Sequence, residues 1–148
     1  YDADALTEQT VGCSIPEIFA AEGEAAFRAL ERRTLEALCT ETETPCVIAT
    51  GGGAVLTEQN RELLRRSGTV FWLDRTVDNI MSTDYAAGRP LLAGGEAALR
   101  ALYAVRCPLY AACAHYRVPD GTVDQMKDFN LRLWRDTPGS CTSSTAPT

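Results

Sequence analysis

The chain opens with Tyr1-Asp2-Ala3-Asp4, two carboxylates one residue apart and just ahead of a helical stretch. Alternate side chains of an extended strand share a face, so both acids would reach one site at a strand's carboxyl end. One could hold Mg²⁺ through water while the other takes a proton from a substrate hydroxyl. The alternative is a frayed terminus with solvated acids. Gly51-Gly52-Gly53 directly follows an apolar run. Three glycines let backbone approach a ligand and offer N–H groups to an anion or hydroxyl, although a flexible linker has the same composition. Arg28 and Arg106 each sit among apolar neighbours, as Ala26-Phe27-Arg28 and Val105-Arg106-Cys107-Pro108. They read either as structural partners of carboxylates, with Glu31 at i+3 from Arg28, or as two grips on a substrate carboxylate. Arg89, in Gly88-Arg89-Pro90-Leu91-Leu92, lies in an aperiodic stretch suited to a lid over phosphates or to an ordinary surface loop.

Elements to carry these residues are visible in the apolar pattern. Cys46–Thr50 and Thr69–Leu73 read as strands buried on both faces. Between them 57–68 is helical, with Thr57 as N-cap, Arg65 and Arg66 in the last turn and Gly68 at the C′ position. Strand, helix, strand with short connections is a βαβ unit, so the sheet is at least partly parallel. Ser14-Ile15-Pro16-Glu17 is a capping-box pattern, and a helix over Glu24–Cys39 places Phe27, Leu30, Thr34 and Leu38 on one stripe. Helices are also expected over Glu96–Arg106 and Val123–Trp134, with a last short strand at Tyr116–Val118 and a turn at Pro119–Gly121. Residues 1–136 are expected to form one three-layer α/β domain, and the uncharged 137–148 stretch reads as a disordered tail.

Composition narrows the function classes. With 148 residues, 45% hydrophobic and 23% charged, the chain suits one domain with one core. Its net charge of -6 gives no reason to expect nucleic acid or an anionic membrane as partner. No apolar run approaches the roughly 20 residues of a bilayer span, and no signal peptide is visible. Six cysteines lack any C-x-x-C spacing and His115 is the lone histidine, so reduced thiols are expected over a zinc site or bridges.

The order of the motifs is more specific than any one of them. Asp-x-Asp, Ser-Ile-x-Glu-Ile-Phe, Gly-Glu-x-x-Phe-Arg-x-x-Glu, a strand ending in Gly-Gly-Gly, Arg-Pro-Leu-Leu and Arg-x-Pro-Leu-Tyr follow one another as in shikimate kinases, and the chain resembles that family over residues 1–134. The resemblance implies a P-loop nucleoside-monophosphate-kinase-like sheet of order 2-3-1-4-5 and transfer of the γ-phosphate of ATP to the 3-hydroxyl of shikimate, in chorismate biosynthesis. It implies a cytoplasmic monomer whose partners are shikimate and ATP with Mg²⁺. Asp4 would contact the reacting hydroxyl and serve as its base. Arg28 and Arg106 would bind the shikimate carboxylate, with Glu31 orienting Arg28. Gly51, Gly52 and Gly53 would touch shikimate through backbone, and Ile15, Phe19 and Phe27 would wall the pocket. Asp2 would support Mg²⁺, and Arg89 would be the lid arginine at the transferred phosphate.

Two departures stand out. The family's first strand and its Gly-x-x-x-x-Gly-Lys-[Ser/Thr] loop are not found, and the one lysine is Lys127. The chain is therefore expected to begin before the family's second strand, to lack the central strand of the sheet and to be inactive by itself. The lid also lacks the arginine that stacks on adenine; Ser82 occupies that spacing. The alternative function is a non-catalytic module of the same ancestry that binds a ligand or partner.

Overall fold

The computed structural model describes residues 1–42, 45–82 and 95–136. Arg89 and the expected lid and tail, 83–94 and 137–148, lie outside the described residues. The described chain is α/β. Its elements are α1 (Ala3–Val11), α2 (Ile15–Thr40), a 3₁₀ turn at Ala54–Leu56, α3 (Glu58–Ser67), β1 (Phe71–Leu73), α4 (Val77–Met81), α5 (Gly95–Cys113), β2 (Tyr116–Val118) and α6 (Val123–Asp136).

Local signals account for the helix ends. Glu17 accepts from the Ser14 backbone N–H at 2.7 Å and from Ser14 Oγ at 2.6 Å, which holds the start of α2. Gly23, at φ +82°, interrupts the regular turn of α2, so the second stretch begins at Glu24 as the sequence predicts. The buried stripe differs from the expected one. Phe27, Glu31, Leu35 and Leu38 are buried, while Leu30 and Thr34 are half-buried. Both sets satisfy helical spacing; the helix is simply turned by about one residue toward its neighbours. On α3, Thr57 takes the N-cap position, but its hydroxyl is buried without a hydrogen bond among the described residues. Gly68 caps the same helix in an extended rather than a left-handed conformation. α5 runs seven residues beyond the expected Arg106 end, through Pro108. The proline removes one helical donor and the helix continues past it.

The sheet is small and parallel. β1 pairs with β2 in the register Phe71–Tyr116, Trp72–Arg117, Leu73–Val118. The other expected strand, Cys46–Thr50, makes one parallel bridge, Asp2 to Ala49, through Ala3 N–H to Ala49 O at 2.9 Å and Ala49 N–H to Tyr1 O at 2.8 Å. The expectation of burial on both faces fails for both runs: Val47 is 85% exposed and Leu73 53%. An apolar run is covered only where elements pack on each face, and these runs have one ladder partner apiece among the described residues.

The core that positions everything else lies between α1, α2, α3, α5 and the 3₁₀ turn. Ala3, Leu35, Leu38, Ala54, Val55, Leu63, Leu64 and Cys113 are buried together. Leu35 and Ala54 have no exposed surface at all, so truncating Leu35 to Ala would cost about 2–5 kcal/mol. Ala54 and Val55 enter this core directly after the three glycines. The glycine loop is thereby anchored at its exit.

Candidate active site

Asp2 and Asp4 do not alternate along a strand. Asp2 is extended and caps α1, its Oδ1 accepting from Ala5 N–H at 3.1 Å. Asp4 is inside the first turn of α1, half-buried. The two acids thus point from different backbone geometries, one from the end of the extended segment and one from the helix.

Asp4, two arginines and a tyrosine then converge on the glycine loop. Gly51 has φ +69°, the left-handed region that favours glycine. A Cβ there would also lie 2.8 Å from Asp4 Oδ2. A Cβ on Gly52 would lie 3.0 Å from Tyr110 Oη and 3.4 Å from Arg106 Nη1. A Cβ on Gly53 would collide with the Arg28 guanidinium. Three successive glycines therefore face side chains from α1, α5 and α2 in turn. Their lack of side chains is a packing requirement, which a flexible linker would not have.

Arg28 is held from two sides. Both Glu31 oxygens accept from its Nη1, at 3.0 and 2.9 Å. Glu24 Oε1 accepts from Nε at 3.3 Å and Nη2 at 3.2 Å. The guanidinium also lies 5.1 Å from the centre of the Phe27 ring, and Phe27 packs on Phe19 with centroids 5.0 Å apart. The partners differ in kind: the Glu31 side chain is 3% exposed and the Glu24 side chain 55%. The exposed pair is worth about 0–1 kcal/mol and is open to exchange with an incoming carboxylate, whereas the buried pair is structural. Burial pushes the Glu31 carboxyl above its ordinary range, and the Arg28 hydrogen bond and charge pull it back. Asp4 pushes it up further and Arg106 pulls it down, which places all four groups in one electrostatic cluster.

Arg106 is 8% exposed, and its Nε has no hydrogen-bond partner among the described residues. A buried guanidinium with an open donor is a costly arrangement and a natural receiver for an anion. Ile15 starts α2 and donates its N–H to Glu8 Oε1 at 2.8 Å. Of the residues expected in the site, Asp4, Arg28, Glu31, Gly51, Gly52, Gly53 and Arg106 come together, with Phe27 beside Arg28 and Phe19 packed on Phe27. Asp2 adjoins them through its place two residues before Asp4. Arg89 lies outside the described residues.

Sequence reasoning missed Tyr110 and Glu24 as members. Both stand inside quoted motifs, Arg-x-Pro-Leu-Tyr and Gly-Glu-x-x-Phe-Arg, and helical spacing was the available signal: Tyr110 is i+4 from Arg106, and Glu24 is i−4 from Arg28. It also missed a second junction at the carboxyl ends of the strands. Asp74, directly after β1, accepts from Tyr103 Oη at 2.8 Å and from Arg117 Nε at 2.7 Å. Asp120, just beyond β2, accepts from Thr76 N–H at 2.7 Å, Thr76 Oγ1 at 2.8 Å and Asn79 Nδ2 at 2.7 Å. These donors, Thr76 N–H foremost, hold the Asp120 carboxyl down at about 2. The junction ties the start of α4 to the turn after β2. No helix among the described residues is long and apolar enough to cross a membrane.

The family model described as shikimate kinase matches residues 1–131. A shikimate kinase of Symbiobacterium thermophilum is 44% identical over 122 residues, covering 79% of this chain and 69% of that protein. One from Parasynechococcus marenigrum is 49% identical over 114 residues, covering 74% of this chain and 58% of its relative. The chain thus spans roughly six to seven tenths of these relatives' length. Among solved structures, shikimate kinase from Acinetobacter baumannii in complex with shikimate superposes with a TM-score of 0.83 at 34% identity, over 93% of this chain and 79% of that one. By its motifs, its fold and these matches, the chain belongs to the shikimate kinase family.

Proposed function

We propose that this chain carries the acceptor side of a shikimate kinase, the enzyme that moves the γ-phosphoryl group of ATP to the 3-hydroxyl of shikimate on the way to chorismate. The observation that carries the reading is the convergence of Asp4, Arg106 and Arg28 on three consecutive glycines. Shikimate is a small carboxylate with ring hydroxyls. Two arginines suit its carboxylate, and loop N–H groups and a carboxylate suit its hydroxyls.

Arg106, with its buried unpaired Nε, and Arg28, with its exchangeable Glu24 edge, grip the shikimate carboxylate. Glu31 keeps Arg28 in place. Asp4 orients the 3-hydroxyl and takes its proton as the new O–P bond forms. Ile15, Phe19 and Phe27 wall the pocket, and Arg89 is the lid arginine that meets the transferred phosphoryl group. ATP is the phosphoryl donor, and Mg²⁺, when bound, neutralises the phosphate charge. Asp2 fits the magnesium ion in part. It is exposed, and its Oδ1 caps α1; a lone carboxylate suffices for Mg²⁺ when water and phosphate complete the shell. In the same reading the Asp2–Ala49 bridge is the 2-3 pair and β1–β2 the 4-5 pair of a 2-3-1-4-5 sheet. The enzyme acts as a cytoplasmic monomer with shikimate and ATP as its partners. A non-catalytic module would have no use for a carboxylate held beside the glycines that line the ligand.

Calorimetric titration of the 148-residue chain with shikimate tests the reading. Saturable one-to-one binding is expected, weakened about ten- to a hundredfold by Arg106→Ala. ATP consumption is expected only once a P-loop segment is supplied, since no such motif occurs in the 148 residues. A folded chain that takes up no shikimate, or an Arg106→Ala variant that binds as tightly as wild type, overturns the assignment.

A further inference from the structure

Tyr110, the last residue of the Arg-x-Pro-Leu-Tyr motif, meets the glycine loop without taking any part in the ligand grip proposed above. It is half-buried on α5, one turn beyond Arg106, with its ring centroid 5.8 Å from that of Trp72. Its hydroxyl donates to the Gly52 carbonyl at 2.7 Å, across 58 residues of sequence. The Gly52–Gly53 peptide is trans, and in a trans peptide the C=O and the following N–H point in opposite directions. Holding the Gly52 carbonyl toward α5 therefore fixes the Gly53 N–H on the far side of the same plane. Glycine places little steric restraint on its own dihedrals, so without such a tether that plane is free to rotate. The loop is anchored at its exit by Ala54, wholly buried, but not through the peptide before Gly53.

We propose that Tyr110 is a positioning residue for the acceptor substrate. Its hydroxyl locks the Gly52–Gly53 peptide and so aims the Gly53 N–H at a ligand oxygen. The inference rests on the acceptor-site reading above. It assigns Tyr110 no contact with the reacting atoms. Because Arg106 and Tyr110 sit one turn apart on one helix, the same element that grips the ligand carboxylate also sets the loop facing it.

The test is Tyr110→Phe in the full 148-residue chain, titrated with shikimate by calorimetry and followed by NMR at the Gly53 amide. Phenylalanine keeps the ring against Trp72 and removes only the hydroxyl. Shikimate affinity should fall about three- to tenfold, the range expected for one neutral hydrogen bond. In wild type the Gly53 amide resonance should shift, and its exchange should slow, on saturation with shikimate. In the variant both responses should be lost while the Arg106-dependent binding persists. That loss would not follow from a general loosening of the core, which thermal unfolding measures separately. If wild type binds shikimate and Tyr110→Phe binds equally well with the same Gly53 response, the inference is wrong and the site reading stands. A wild-type chain that binds no shikimate removes both.

Discussion

Substituting Gly53 by Ala isolates the link between the glycine loop and Arg28. Gly53 sits at φ -92°, ψ -16°, a conformation any residue adopts, so the backbone itself has no objection. The added methyl meets Arg28 instead, with Nη2 at 2.7 Å and Cζ at 2.8 Å. Comfortable separations are about 3.5–4.0 Å, so something must move by roughly 1 Å. The loop side is held by Ala54 in the core, which leaves the guanidinium as the group that gives way. Its displacement breaks the bonds to Glu31, a residue only 2% exposed. Breaking a buried pair outright costs about 3–5 kcal/mol. Arg28 keeps its charge and can re-form part of the contact, so about 1–3 kcal/mol of stability is the expected loss. The misplaced fork should also weaken shikimate binding about ten- to a hundredfold. Thermal unfolding and calorimetry at two pH values check both halves. Burial already raises the Glu31 carboxyl, and Arg28 opposes that rise. A raised carboxyl contributes stability that is present below its unfolded value and lost as pH rises through the folded one. Removing the opposition widens that window upward, so the variant's deficit should be larger at pH 7 than near pH 4. Unchanged affinity and stability at both pH values would refute the claim that Gly53 exists to admit Arg28.

Two further expectations concern the acids. In a version of the protein that carries a P-loop, Asp4→Asn should lower turnover about 10²–10⁴-fold while shikimate affinity changes modestly, as steady-state kinetics and calorimetry will show; near-normal turnover would leave Asp4 a packing residue. Asp2→Ala should cost about 0.5–2 kcal/mol in thermal unfolding through loss of the α1 cap, whereas Asp2→Asn keeps the cap and should differ only in needing more Mg²⁺ for full rate. An Asp2→Asn enzyme with an unaltered Mg²⁺ requirement would assign Asp2 to capping alone.

The sequence by itself determined the parts whose cause lies within a few residues. Glu17 beneath Ser14, Gly23 before Glu24 and the Tyr116–Val118 strand are where local chemistry puts them. The order of motifs determined the family and, through it, named Asp4, Arg28, Glu31 and Arg106 beside the glycines, though not Tyr110 or Glu24. Tertiary structure decided what periodicity leaves degenerate. Leu30 and Thr34 fit the α2 stripe as well as Glu31 and Leu35 do, because 3.6 residues per turn allows either choice. Packing against α1, α3 and the 3₁₀ turn selects the latter, and that choice buries Glu31 beside Arg28. Strand alternation suggested a shared direction for Asp2 and Asp4, but the start of α1 falls between them, so one leaves an extended residue and the other a helical turn. Cys46–Thr50 has the apolar content of a buried strand, yet a strand's burial and pairing are properties of its neighbours, and a run of residues cannot specify neighbours it does not contain. Tyr110 shows the same limit at the site: its role is a hydrogen bond to a carbonyl 58 positions away, which spacing along the chain does not encode.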